Sequence, residues 1–177
     1  MPVTLNDIHA AVIQMDLVGQ PLCVHASLRS FGHVQDGAQT IVEGLLQQGC
    51  TVMVPTHSYS TYSIPAPGEH KVDLSSPVYT PESNAVDAGS MGAIPVYVLQ
   101  KMGRVRGNHP LDSFTAVGPL ASQLVVSQSP EDTYAPVHVL GQLGGYIVMM
   151  GVDLNRLTAL HLAERLAGRP LFTAWVK

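Results

Sequence analysis

Charged side chains are scarce in this sequence. Asp, Glu, Lys and Arg make up only 12% of 177 residues. With 9 Lys and Arg against 13 Asp and Glu, the formal net charge is −4. The basic stripe of a nucleic-acid binder is missing. So small a negative charge mildly favours a cationic ligand and is ordinary for a soluble enzyme. Cysteine is nearly absent too. Cys23 and Cys50 both fall in apolar, strand-like runs, which predicts buried free thiols and suits a reducing cytoplasm. The N-terminus lacks the basic and apolar regions of a signal peptide, and no apolar run is long enough to span a bilayer. The expected location is cytoplasmic.

Several chemistries lack their motifs. No Gly-x-Gly-x-x-Gly follows a strand-like run, and no Gly-Lys-Ser/Thr is present, so dinucleotide and P-loop folds have no support. No Gly-x-Ser-x-Gly elbow marks an α/β-hydrolase. His-Glu-x-x-His is absent as well.

Hydrophobic residues are abundant, at 46%. The length suits one domain spanning 1–177 with a sizeable core. Low charge implies strands covered on both sides or a surface lost in a homo-oligomer. Thr4 and Asp7 form a candidate capping box, followed by Ile8, Ala11, Val12 and Met15 at helical spacing. Buried strands are expected at 22–26, 51–55 and 146–150, and further strands at 113–117 and 171–176. Helices are expected at 38–48, 91–102, 119–127, 137–143 and 158–167. Residues 56–90 are rich in Ser, Thr, Pro, Tyr and Gly without a period, and read as a loop over the site. Residues 104–110 read as polar and turn-like. The strands are uniformly apolar and alternate with helices. The fold class is therefore α/β, with a mostly parallel central sheet covered by helices on both faces.

The most informative stretch runs from Gly151 to Glu164. It leaves a strand and becomes a helix with His161 and Glu164 at i and i+3, on one face. An imidazole and a carboxylate so placed can act as a base and its partner, at the sheet mouth where ligands sit. Leu157, Leu160 and Ala163 are then free to face the core, and Thr158 shares the histidine face. The plainer readings are a satisfied core histidine and a surface helix pair.

Three further polar blocks leave or approach strands. Val24-His25-Ala26-Ser27-Leu28-Arg29-Ser30-Phe31-Gly32 opens at the carboxyl end of the first strand. Ser27, Ser30 and loop amides can bind phosphate or pantetheine groups, and Arg29 can add charge. Cys23 and His25 share a strand face, but too far apart for a direct hydrogen bond. His57 follows the second strand at the same sheet edge, and Asn108, His109, Asp112 and Ser113 crowd a loop before another strand. Ordinary polar turns are the alternative in each case. With eight histidines, a metal hydrolase using His161, Glu164 and one of His25, His57 or His109 is a further alternative.

Taken together, VHASLRSFG at 24–32, MVPTHSY at 53–59, GSMGAIP at 89–95, RGNHPLDSFTAVGP at 106–119 and GVDLNRLTALHLAE at 151–164 resemble the aminoglycoside 3-N-acetyltransferase family. The resemblance implies a three-layer α/β/α sandwich and acetyl transfer from acetyl-coenzyme A to an aminoglycoside amine, with no metal. It implies His161 as general base with Glu164 in support. Ser27, Leu28, Arg29, Ser30, Ser113 and Phe114 would lie at the coenzyme, and His25, His57, Asn108 and Thr158 on the acceptor side. Family members usually continue well past the histidine helix, whereas this sequence stops at Lys177, and Leu157 stands where the family commonly has Asn. A different amine acceptor, or a relative that binds coenzyme or aminoglycoside with little activity, are the alternatives.

Overall fold

The computed structural model describes residues 1–66, 68, 77–169 and 174–176. In chain order the elements are α1 (Leu5–Gln14), β1 (Pro21–Ala26), α2 (Ala38–Gln47), β2 (Thr51–Pro55), α3 (Tyr59–Tyr62), β3 (Ser63–Ile64), α4 (Ala88–Met91) and α5 (Ala93–Gln100). There follow β4 (Val105–Arg106), β5 (Phe114–Val117), α6 (Ala121–Val125), α7 (Ala135–Gln142), β6 (Tyr146–Met150), α8 (Ala159–Leu166) and β7 (Trp175–Val176).

The first helix starts where the sequence signals it. Thr4 Oγ1 accepts from the Asp7 amide at 3.4 Å, and Asp7 Oδ2 accepts from the Thr4 amide at 2.8 Å. Such a cap is worth about 1 kcal/mol.

The central sheet runs β4-β5-β2-β1-β6. β1 pairs in parallel with β2 and with β6, while β5 is antiparallel to both β2 and β4. Four strands thus point one way and β5 the other, a mostly parallel sheet. Alternation along the strands builds two cores. Leu22, Val24, Val52, Val54 and Val117 meet α1, α2 and α5 on one face. Cys23, Met53, Phe114 and Ala116 meet α6 and α7 on the other, with Ala159 and Leu162 of α8 packed against them. Fully burying a side chain such as Phe114 contributes about 1.5–3 kcal/mol.

Several expectations are corrected. β6 is apolar but not buried. It is an edge strand whose Tyr146 and Ile147 are 48% and 38% exposed. The stretch 104–110 contains β4, which forms because β5 lies beside it. The long region after β2 holds α3, β3 and α4. Of the strand expected at 171–176, residues 171–173 lie outside the described residues. Trp175 and Val176 pair with β3 in a separate two-stranded sheet. Cys23 and Cys50 are buried free thiols, as expected. Among the described residues, no helix is long and apolar enough to cross a membrane.

Candidate active site

Topology gathers the polar blocks at one edge of the sheet. β6, β1 and β2 run in parallel, so their carboxyl ends share that edge, and the start of antiparallel β5 joins them through the pairing of Phe114 with Pro55. Four segments therefore meet there: the turn after β1, residues 56–59 after β2, the loop before β5, and residues 151–158 leading into α8.

The turn after β1 is a single turn of 3-10 helix, Leu28–Phe31. It is tied to the end of β6. The Ser27 amide donates to the Met150 carbonyl at 3.0 Å, and Ser30 Oγ donates to the Gly151 carbonyl at 2.8 Å. Gly151 has φ 66°, and a Cβ there would stand 2.2 Å from Ser30 Cβ. Only glycine permits this approach. Ser27 and Leu28 are half-buried, while Arg29 and Ser30 are exposed.

His161 and Glu164 lie on α8, with Nδ1 3.0 Å from Oε2. A carboxylate only accepts, so the imidazole proton sits on Nδ1 and the Nε2 lone pair is left free. Their side chains are 49% and 38% exposed. His161 is therefore not a sealed core residue. The Tyr134 ring lies beside it, centroids 6.2 Å apart. Thr158 is buried, and its carbonyl accepts from the His161 amide at 3.1 Å. The expected core face of this helix is corrected: Leu160 and Ala163 are exposed and Leu157 half-buried, and Ala159 and Leu162 do the packing.

A second histidine–carboxylate group sits deeper. His57 Nε2 is 3.7 Å from Asp112 Oδ1, too long for a hydrogen bond. Tyr59 Oη donates to both Asp112 oxygens, at 2.8 and 2.9 Å. Burial lowers the His57 pKa, Asp112 and Asp87 oppose that, and the neighbouring His161 adds to it. Burial, then His57, pulls His25 down to about 4. Cys23 Sγ approaches His25 Nε2 to 3.8 Å, nearer than expected from strand spacing, but burial pushes that thiol up to about 12. A neutral buried thiol is not a nucleophile. His109 builds the turn instead of facing a ligand. Its Nδ1 accepts from the Leu111 and Asp112 amides, which puts its proton on Nε2, donated to Thr133 Oγ1 at 3.1 Å.

Two residues expected at the coenzyme lie inside the fold. Ser113 and Phe114 are 0% exposed. Ser113 Oγ donates to the Thr56 carbonyl and accepts from Arg106 Nε, both at 2.9 Å. The Phe114 amide donates to Gln128 Oε1 at 3.0 Å. Both are held by interior hydrogen bonds. Asn108 is exposed on the loop before β5. Residue-by-residue reading passed over Tyr59, Tyr134, Arg106 and Gln128. Tyr59 and Arg106 stood inside quoted blocks, but Tyr134 and Gln128 carried no local signal. Among the described residues, no three His, Cys, Asp or Glu side chains converge as a metal site.

Two open grooves are lined by other residues. One, of about 430 Å³, is lined by Asn6, Gln35, Asp36, Gln39 and Glu43. The other, of about 520 Å³, lies between α2 and α5, with Gln39, Gly92, Ala93 and Tyr97 in its walls. Neither contains the histidines. Convergent chemistry, not concavity, selects the sheet edge as the candidate site.

The family profile described as Aminoglycoside 3-N-acetyltransferase matches residues 23–174. The chain belongs to the aminoglycoside 3-N-acetyltransferase family. Aminoglycoside N(3)-acetyltransferase IX of Micromonospora chalcea is 29% identical over 179 residues, covering 94% of this chain and 63% of the relative. Aminoglycoside N(3)-acetyltransferase III of a Salmonella species is 32% identical over 162 residues, covering 86% and 56%. Among solved structures, AAC-IIIb in a binary complex with CoASH superposes with a TM-score of 0.84 at 25% identity, covering 94% of this chain and 66% of that one. AAC-VIa with sisomicin bound superposes at 0.80 and 25% identity, covering 93% and 65%. The chain thus spans little more than half to just under two thirds of these curated relatives. All five blocks of the aminoglycoside 3-N-acetyltransferase resemblance fall inside the matched segment.

Proposed function

We propose that this chain carries the chemistry of acetyl transfer from acetyl-coenzyme A to an amino group of an aminoglycoside, at the 3-amino position. His161 serves as general base and Glu164 as its support. The observation that carries this is the half-exposed His161 imidazole, held through Nδ1 by Glu164 at 3.0 Å, on the sheet edge where the 27–30 turn also lies. Family membership and a relative solved with CoASH support the donor. A relative solved with sisomicin supports the acceptor class. Two cores on opposite faces of the sheet support the three-layer α/β/α arrangement.

The amine must lose a proton as its nitrogen bonds to the acetyl carbonyl carbon and the carbon–sulfur bond breaks. His161 Nε2 takes that proton and returns it to the departing thiolate. An imidazole can accept and return a proton near neutrality. Glu164 fixes the tautomer and stabilises the imidazolium. For the donor, Arg29 offers an exposed cation, and a helical turn leaves its first amides without intrahelical partners, as at Leu28 and Arg29. These amides suit a phosphate or a developing oxyanion. His57, neutral beside Asp112, and Thr158 lie toward the acceptor.

Thiol release from acetyl-coenzyme A with a panel of aminoglycosides tests this reading. Release that His161→Ala abolishes is the expected result. Calorimetric binding of coenzyme without turnover would favour a binding relative. No coenzyme binding and no thiol release would reject both.

A further inference from the structure

Arg106 is the least expected residue of the interior. It stands on β4, is 4% exposed, and among the described residues no carboxylate is a hydrogen-bond partner. A charge so deep is costly unless its donors are hydrogen-bonded. Here all three guanidinium nitrogens donate. Nε donates to Ser113 Oγ at 2.9 Å, and Nη1 to the Ser83 carbonyl at 2.7 Å. Nη2 donates to the carbonyls of Thr56 and Ala85 at 2.9 and 2.8 Å, and lies 3.4 Å from Ser58 Oγ. The guanidinium carbon lies 5.2 Å from the centre of the Tyr79 ring, whose hydroxyl donates to the Gly107 carbonyl at 2.6 Å.

These partners bracket one functional side chain. Thr56 and Ser58 flank His57. The Asp87 amide, two residues beyond Ala85, donates to the His57 carbonyl at 2.7 Å. The Ser58 amide and hydroxyl are held by the carbonyls of Leu111 and Pro110, at 2.9 and 2.7 Å. The backbone on both sides of His57 is thus fixed by groups that Arg106 joins. Neighbouring Arg104 grips residues 81–84 of the same loop but reaches nothing in 56–58.

We propose that Arg106 is a positioning residue, a guanidinium clasp that locks residues 83–85 against the carboxyl end of β2 and thereby sets the His57 imidazole within the site. A lysine cannot replace it. Its three donors radiate from one point, whereas this planar fork serves acceptors from three segments at once. The functional part of the proposal rests on the acetyl-transfer reading; the structural part does not.

The test is Arg106→Lys, with Arg104→Gln as the control on the same loop. Circular dichroism first establishes that each is folded. In Arg106→Lys, amide exchange at Ser58 and Asp87 is expected to accelerate about tenfold. The His57 titration, followed by proton NMR, is expected to move up toward the ordinary ~6.5. Arg104→Gln is expected to do neither. In acetyl transfer, kcat/KM for the amine should fall about tenfold while KM for acetyl-coenzyme A stays within about twofold. A folded Arg106→Lys with unchanged exchange and an unchanged His57 titration overturns the proposal. If that variant does not fold, Ser113→Ala decides. It removes the Nε acceptor and should shift His57 in the same direction, and no shift overturns the proposal. A wild-type protein that transfers no acetyl group would refute the acetyl-transfer reading alone, and the exchange and titration would still decide this one.

Discussion

Replacing Glu164 by Gln keeps size and shape and removes one charge. Oε2 lies 3.0 Å from His161 Nδ1. At an effective dielectric near 20, unit charges so placed would attract by about 5 kcal/mol. That figure does not apply, because the side chains are 49% and 38% exposed. Solvent screening brings such pairs to about 0.2–1 kcal/mol. The amide adds a second loss. It can donate as well as accept, so part of the population holds the tautomer whose Nε2 carries the proton, at a cost of about a factor of two. Together these give about 1 kcal/mol at the transition state, a five- to tenfold fall in kcat. His161→Ala removes the base itself and should cost about 10²–10⁴. Stability responds differently. An i,i+3 pair on a helix is worth about 0.2–0.5 kcal/mol, so Glu164→Gln should move Tm by about 1–2 °C. Thiol-release kinetics and a thermal melt on the same samples separate the two. Raising the salt should shrink the gap between wild type and Glu164→Gln. A Glu164→Gln enzyme with kcat within about twofold of wild type, beside a crippled His161→Ala, would refute Glu164 as the base's partner.

Three further outcomes follow from the geometry. Gly151→Ala forces a Cβ to 2.2 Å from Ser30 Cβ at φ 66°; it should cost about 1–3 kcal/mol in urea unfolding and weaken coenzyme binding by calorimetry. Burial raises the thiol pKa of Cys23, to about 12, and of Cys50; native protein at pH 8 should resist iodoacetamide at both until denaturant is added, as read by mass spectrometry. His25 has its folded pKa pulled to about 4, below its ordinary value, so the unfolded chain takes up a proton that the folded one refuses. Its contribution is intact above pH ~6.5 and is lost as the pH falls toward 4, by up to about 3 kcal/mol. Urea midpoints at pH 7.5 and 4.5 measure this, and His25→Phe should flatten the difference.

What the sequence made legible was local. The Thr4–Asp7 cap, the strand at 51–55 and the i,i+3 pairing of His161 with Glu164 rest on neighbours along the chain, and the structure places all three as expected. Parallel pairing was readable because strands and helices alternate. Long-range dependence hid the rest. β4 has two residues and forms only against β5. The interior role of Ser113 follows from Thr56 and Arg106, and the partners of Arg106 lie up to 50 residues away. Uniform apolarity marked β6 as buried, but it is the position in the sheet, invisible to composition, that leaves Tyr146 and Ile147 uncovered.

That uncovered margin has a practical side. One flank of β6 pairs with β1, and among the described residues the other borders no strand. Free amides and carbonyls beside greasy side chains are a template on which another extended segment can zip up. No lysine or proline interrupts Tyr146–Met150 to discourage it. Whoever concentrates this polypeptide should expect self-association to begin along that border, and a single lysine at position 147 would be the first gatekeeper to try.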